Sequence, residues 1–578
     1  MCGIVGIYNF KKNVEKYNIY KMLKQIEHRG PDYNNIYINK NIGLGHNLLK
    51  IQDISDLSHQ PYVFKDLIIV YNGEIYNFKE IKKELEIKGY KFFSEGDTEV
   101  LAKSFDYWGL SAVKKFNGFF SIAIYNKKKK TISLIRDRVG IKPLYYYIDN
   151  NQLIFSSEIK AIFSQNNVYK NLNLNTILLS FSSNLWLPYY NTFFEKIKML
   201  EPGTIIVFNK NGVLNKYKYF EPIINVKYKK EKDVINLFKY SIKKSIKYKT
   251  LSKFKIATFL SGGIDSSIIT KEYNDLTNKA IDSFTIYYEK KENIDLNHAE
   301  ILTKNEKINH HKICVKPEDI NIQILDEVIF HMEELLMDKV YISDYLNYKA
   351  AKKEGFRIIL NGQGSDELWL GYLNIWGIYK FIGNNFNKNI MIENYFKKNM
   401  IFKDKLSNYS KNKIFDILDE YISTNILNNY QNEYENYTIY AIKTILHNLL
   451  LQEDKLSMAH SIECRVPFVD DNEMLYLALS IDSNLKIFDK REKYILRKAY
   501  EKILPKNIIE RYKYPFPEPP NKYDYKIKNL CKENWENIIN NKIISNLLNT
   551  RRYSKIDYYN PKELWWLINI YRFSEIFS

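Results

Sequence analysis

Two short stretches of this chain carry side chains that can do chemistry. The first is MCGIVG, where the chain begins. A thiol nucleophile needs a base. If Met1 is removed, the α-amine of Cys2 lies beside its own sulfur. An α-amine titrates near ~7.7–8, so it accepts the thiol proton at neutral pH. Gly3 leaves room at the nucleophile. Read alone, the same residues also describe a buried cysteine that opens a strand. The second stretch is SGGIDSS (261–267), set between the apolar run KIATFL and the helix-like SIITKEYN. Backbone N–H groups of a Gly-rich turn and a helix N-terminus together attract phosphate. Ser261 and Ser266 add hydroxyl donors, and Asp265 can hold Mg2+ between phosphates. The chain has no GxxxxGK[ST], which excludes a Walker-type loop. The plainer reading is a Ser/Gly connection with a helix cap.

The elements around these stretches must position them. Residues 1–208 read as short strands with turn punctuation, including LIIVYNGEIYN, FFSIAIYN, TISLIRD and LIFSSE, with a few helices such as KEIKKELEIKGY. That pattern predicts stacked sheets. After a polar, Lys-rich stretch near 210–232 the order becomes strand, loop, helix, strand: KIATFL, SIITKEYN, SFTIYY and FRIILNG. This is the grammar of a parallel α/β sheet. We place the second domain at 232–578, with its core at about 235–520. The pattern is mostly helical from about 375, and ELWWLINIYRF in the tail reads as a packing helix.

Composition narrows the function classes. A chain of 578 residues is too long for one core. Hydrophobic residues make up 45% and charged residues 26%, the balance of a globular protein. The net charge of +19 comes mainly from scattered lysines, with no compact Arg-rich stripe, so no nucleic-acid partner is expected. Lys127–Lys130 reads as a hairpin tip. The cysteines, Cys2, Cys314, Cys464 and Cys531, have no metal-ligand spacing and suggest no disulfide framework. No apolar run approaches the ~18 residues of a membrane span, and no signal segment is visible. A cytoplasmic setting without a membrane partner is the expectation.

Further segments give the first stretch its meaning. HRGPD (28–32), GLGH (43–46), HQP (59–61), YNGEIYN (71–77), GDTEV (96–100), FNGFFSIAIYN (116–126), RDRVGIKPLYY (136–146) and FSSEIKAI (155–162) follow in order. Together they resemble the glutamine-hydrolysing domain of class II amidotransferases, in the asparagine synthetase branch. The resemblance implies an N-terminal-nucleophile (Ntn) hydrolase fold, an αββα sandwich. It implies that Cys2 attacks the glutamine side-chain amide and that Asn72 and Gly73 form the oxyanion hole. Asp97 would hold the substrate α-ammonium, with Glu74 beside that pocket and Arg29 supporting the thiol end. One residue departs from the pattern. In HNLLKI (46–51), Leu48 stands where the family places an arginine that pairs with the glutamine α-carboxylate.

The second stretch also has companions: NIDLNHAEIL (293–302), NHHKI (309–313), His331–Glu334, IILNGQGSDELWLGY (358–372), EDKLSMAHSIECRVPFVD (453–470), KYILRKAYEKILP (493–505) and ERYKYPF (510–516). They are similar to the PP-loop synthetase domain of glutamine-dependent asparagine synthetases. The resemblance implies an ATP site of Leu260, Ser261, Gly262, Gly263, Asp265 and Ser266, with Ile286, Asn361 and Gly362 against the nucleotide. Asp265 and Asp366 would hold Mg2+, with Glu367 nearby. Gln363, Arg465 and Lys513 would form the acceptor and adenylate site, with Arg465 gripping the acceptor carboxylate. The departures cluster here. Gln363 replaces the glutamate of Gly-Glu-Gly-Ser-Asp-Glu and cannot act as a base. Pro515 precedes Phe516 where the family prefers glycine, and 333–345 lacks the usual prolines.

The resemblance thus implies a ligase. Glutamine yields ammonia through a Cys2 thioester, MgATP adenylates a carboxylate, and ammonia crosses to the adenylate. Aspartate is the leading acceptor, giving asparagine, AMP and pyrophosphate. The alternatives are another carboxylate (a uronic acid of a surface polysaccharide or a natural-product acid) and an impaired family member with a regulatory role. Homodimers are common in the family.

Overall fold

A computed structural model describes residues 2–182, 191–289, 292–372, 387–393, 400–425, 430, 432–514 and 518–577. Met1, and Pro515 with Phe516, lie outside the described residues. In chain order the first twelve strands are β1 (Cys2–Asn9), β2 (Tyr33–Asn39), β3 (Ile42–Leu48), β4 (Tyr62–Phe64), β5 (Leu67–Ile75), β6 (Gly118–Asn126), β7 (Thr131–Arg136), β8 (Tyr145–Ile148), β9 (Gln152–Ser156), β10 (Lys198–Met199), β11 (Thr204–Asn209) and β12 (Gly212–Lys218). They form two six-stranded sheets, ordered β10-β8-β9-β1-β3-β2 and β12-β11-β7-β6-β5-β4.

Side-chain alternation explains the layering. On β5, Ile68 and Val70 join a core with Ile4 and Tyr8 of β1 and Leu134 of β7, which fills the space between the sheets. Leu67, Ile69 and Tyr71 point the other way, onto Val100, Leu101 and Phe105 of the helix Asp97–Trp108. Likewise Val5 and Ile7 of β1 pack with Ile19, Met22 and Leu23 of the helix Lys16–Gln25. Period-2 strands with both faces apolar therefore bury one face on the other sheet and one on helices. The result is helix, sheet, sheet, helix, as expected of the Ntn sandwich. Lys127–Lys130 is the turn between β6 and β7.

The helix Glu231–Lys249 opens the second half. A five-stranded parallel sheet follows, formed by β13 (Ile256–Phe259), β14 (Ile281–Tyr288), β15 (Ile308–Val315), β16 (Ile358–Leu360) and β17 (Glu463–Arg465). Its order is β15-β14-β13-β16-β17. The chain winds one way from β13 to β15 and then returns to the other side of β13. The carboxyl ends of β13 and β16 therefore border the switch point where parallel α/β sheets bind ligands. Helices dominate after β16, and the last, Pro561–Phe577, packs on the helices Ile322–Met332 and Asp524–Glu533. No described helix is long and apolar enough to cross a membrane.

Buried ion pairs join the halves. Lys142 Nζ lies 3.0 Å from Asp454 Oδ1. Glu333 accepts from the backbone N–H groups of Ile159 and Lys160 and lies 2.7 Å from Lys455 Nζ.

Candidate active sites

The first site is set by strand register. Cys2 and Asn72 lie on the inter-sheet faces of β1 and β5, in step with Ile4 and with Val70. The Cys2 backbone N–H donates to Asn72 Oδ1 at 3.0 Å. The other end of that amide, Nδ2, is buried without a hydrogen-bond partner among the described residues. A buried, unpartnered donor held beside a nucleophile has the form of an oxyanion donor. The Asn-Gly pair is a common hairpin turn, but here both residues lie inside β5, opposite Ser121 and Phe120. Gly73 has φ +157°, and a Cβ there would meet Phe119 O at 2.1 Å, so the position needs glycine.

The thiol is deeply buried, and burial pushes Cys2 up to about 11. Unassisted, it stays protonated at neutral pH, so nucleophilic attack requires a base. Arg29 Nε donates to the Cys2 carbonyl at 3.1 Å, while its two other nitrogens bind Glu158 and Asp454, each at 2.8 Å. Arg29 thus fixes the backbone of the nucleophile and crosses to the other half of the molecule.

Two carboxyls lie beyond the thiol. Asp97 sits in the first turn of its helix and accepts from Tyr71 Oη at 2.7 Å and Ile75 N at 2.9 Å. Burial still raises it to about 6. Glu74 accepts from Gln52 and is pushed well above the usual carboxylate range by burial, then by Glu463 and Asp97. Leu48 pairs directly with Cys2 across β1 and β3 and shares its face, so its side chain lies beside the thiol. Lys50 does not substitute for it, because its ammonium binds Ile54 O at 3.1 Å.

The second site lies at the switch point. Leu260 follows β13, and its N–H donates to Phe284 O of β14 at 2.9 Å. Gly262 has φ +66°, and a Cβ there would meet Ala299 N at 2.5 Å. Ser266 Oγ lies 3.2 Å from Ser261 N and 3.1 Å from Ser261 Oγ, which closes the turn on the helix Ile264–Thr277. A cavity of about 730 Å3 opens from this turn. Leu260, Ser261, Asp265, Ser266, Ile286, Asn361, Gly362, Gln363, Asp366 and Lys513 all line it, whereas Gly262 and Gly263 shape the turn from outside the lining. Glu367 is buried behind it and raised to about 8, by burial and then by the neighbouring Asp366.

Asp265 and Asp366 converge on one cation, Lys493 Nζ, and Asp366 also binds Lys513 Nζ at 2.7 Å. Burial would raise Asp366, but these two lysines hold it below the usual range. Two buried carboxylates brought onto one positive charge are the hard oxygen donors that suit Mg2+ shared with phosphate.

Arg465 corrects the expectation that it grips the acceptor. It lies at the end of β17, fully buried, and does not line the cavity. Its guanidinium binds Glu463 Oε1 at 2.5 Å, Lys249 O at 2.6 Å and Leu251 O at 3.1 Å. It stands over the Tyr76 ring at 5.7 Å and offsets part of the charge around Glu74. The synthetase half therefore brings a guanidinium towards the glutaminase site, next to a pocket whose own arginine position is leucine.

Several contributors were not legible in the sequence. Lys493 sits in a motif without announcing its partners. The C-terminal helix does more than pack, since Lys562, Trp565 and Trp566 wall the cavity with Ser180 and Ser182 of the first half. The run Glu453-Asp454-Lys455 did carry a signal. Three consecutive charges within an apolar helix, ILHNLLLQEDKLSMA, cannot all face solvent, and here all three are buried.

The two halves define a class: an Ntn-type glutamine amidotransferase domain joined to a PP-loop ligase domain. The family described as glutamine amidotransferase domain matches residues 1–220, and the one described as asparagine synthase matches 237–570. The chain belongs to the asparagine synthase family and is a glutamine-dependent carbon–nitrogen ligase. It is 28% identical to glutamine-hydrolyzing asparagine synthetase 1 of Bacillus subtilis, over 98% of this chain and 95% of that protein. It is 29% identical to asparagine synthetase 3 of the same organism, over 90% of this chain and 87% of that one. Asparagine synthetase B of Escherichia coli is 24% identical over 90% of this chain and 82% of its own length.

Proposed function

We propose that the chain hydrolyses glutamine at Cys2 and uses the released ammonia to amidate an adenylated carboxylic acid, with aspartate as the leading acceptor and asparagine, AMP and pyrophosphate as products. The observation that carries the first half is the Asn72 amide, with one end on the Cys2 backbone and the other without a partner among the described residues. After Met1 is removed, the α-amine of Cys2 takes the thiol proton, and the thiolate attacks the glutamine amide carbon. Asn72 Nδ2 and the Gly73 N–H stabilise the oxyanion. Asp97 holds the substrate ammonium, with Glu74 beside that pocket.

In the second half, the turn 260–266 cradles the phosphates, and Ile286, Asn361 and Gly362 flank the nucleotide. Asp265 and Asp366 would hold Mg2+, which supplies charge neutralisation for the departing pyrophosphate. Lys513, already on Asp366, lies where it can follow that charge. A second acceptor, such as a uronic acid, is favoured by Gln363 and by a cavity that extends to Lys562 and Trp565.

The test is ATP–pyrophosphate exchange against aspartate, glutamate and glucuronate. Exchange driven by aspartate supports the leading reading, and exchange with glucuronate alone replaces it. Equal inertness of wild type and Cys2→Ala towards glutamine would instead leave the regulatory reading.

A further inference from the structure

Position 363 brings an amide to the acceptor, and an amide cannot take a proton from an amine. The cavity that Gln363 lines nevertheless holds a carboxylate on another element: Glu453, in the helix Ile445–Ala459. It is 7% exposed and lines that cavity. Tyr348 Oη donates to Glu453 Oε2, Cys464 Sγ lies 3.7 Å from the same oxygen, and the Asn361 side chain bonds the carboxylate. Asn361 precedes Gln363 by two residues, so this bond ties Glu453 to the very loop that lacks the acid. Asp344, which accepts from Gln452, lines the same cavity. Burial raises Glu453 against its hydrogen bonds, and burial with the Glu453 charge raises Asp344 further. A base for an amine at neutral pH is needed in that raised range.

We propose that Glu453 is the general base of the amide-forming step, supplying from the helix the carboxylate that position 363 lacks. This rests on the reading of the chain as an acid-adenylating ligase. In the step, the ammonia lone pair forms a C–N bond to the acyl carbon of the adenylate. One N–H proton passes to Glu453, the acyl C–O bond breaks, and AMP leaves with the electron pair. The next residue, Asp454, binds Arg29, which holds the Cys2 carbonyl. One turn of helix therefore places the base and anchors the ammonia source.

A purely structural role would leave Glu453 as a partner for Tyr348, so the test separates the two half-reactions. Glu453→Gln is measured for aspartate-dependent ATP–pyrophosphate exchange and for amide formation from ammonium chloride, with thermal unfolding as the check of fold. Exchange should stay within about threefold of wild type while amide formation falls about 100-fold. Adding Gln363→Glu to Glu453→Gln should recover at least about tenfold of the lost amide formation. Amide formation near the wild-type rate, an equal loss of exchange, or no recovery in the double variant overturns the proposal. If wild type itself gives no exchange with aspartate, the acceptor reading has failed instead. The same measurements with the acid that does exchange then decide Glu453.

Discussion

The two sites are built on opposite electrostatic plans. In the glutaminase site the backbone does the positioning. Strand register puts Cys2 and Leu48 on the inner face of one sheet and Asn72 on the facing sheet, and the Asn72 Nδ2 donor has no partner among the described residues. In the synthetase site the charged groups are already satisfied by one another: Asp265 and Asp366 share Lys493, and Asp366 also holds Lys513. On the proposed reading the first site is preorganised for an incoming oxyanion, and the second exchanges internal ion pairs for ligand. A preorganised donor favours the transition state directly, whereas a self-neutralised cluster keeps buried charges stable until nucleotide arrives.

The sharpest way to break this comparison is to disable one site and read the other. Cys2→Ala should lower glutamine hydrolysis and glutamine-dependent amidation by at least about 10^3-fold. Amidation from ammonium salts should persist, and its parallel loss would show that the sites are not separable. Next in size is Lys493→Met, which leaves Asp265 and Asp366 facing each other without their shared cation. About 3–5 kcal/mol of stability should be lost, read by thermal unfolding. An unchanged melting temperature would mean that the cluster is not self-neutralised.

Asn72→Ala removes the waiting donor and should cost about 10^2–10^3 in kcat for glutamine hydrolysis, or ~2.7–4 kcal/mol. A change confined to KM would contradict the oxyanion role. Leu48→Arg would add the missing guanidinium beside Cys2 and should lower KM for glutamine by about 10- to 100-fold, the worth of one charge-assisted hydrogen bond. No gain would mean that the α-carboxylate is held elsewhere.

The smallest effect is that of pH. Asp97, raised to about 6 by burial, must be ionised to attract an ammonium group. Above pH 6 it carries its charge. Below pH 6 it is neutral, and KM for glutamine should rise towards tenfold per pH unit. Asp97→Asn should flatten that profile.

Much of the fold could be read along the chain because its signals are local. Period-2 runs placed β5, β6 and β7, and KIATFL before SGGIDSS placed the loop after β13. Only part of the site followed from the same rules. The resemblance implied Asn72 and Gly73 as donors, but the Asn-Gly pair also suggests a turn, and only pairing with β6 puts both residues inside a strand. Arg465 was misplaced because an arginine in a motif says nothing of which way its strand faces.

By itself the sequence determined that Cys2 opens a strand and that SGGIDSS turns from a strand into a helix, since each depends on residues within a few positions of one another. Tertiary structure alone decided where the buried charges go. It sent Arg465 towards Glu74, set Lys493 between Asp265 and Asp366, brought Glu453 to the Gln363 loop and made the last helix a cavity wall. The physical reason is that a buried charge is stable only beside a partner, and in this molecule many of those partners come from elements far apart in the chain.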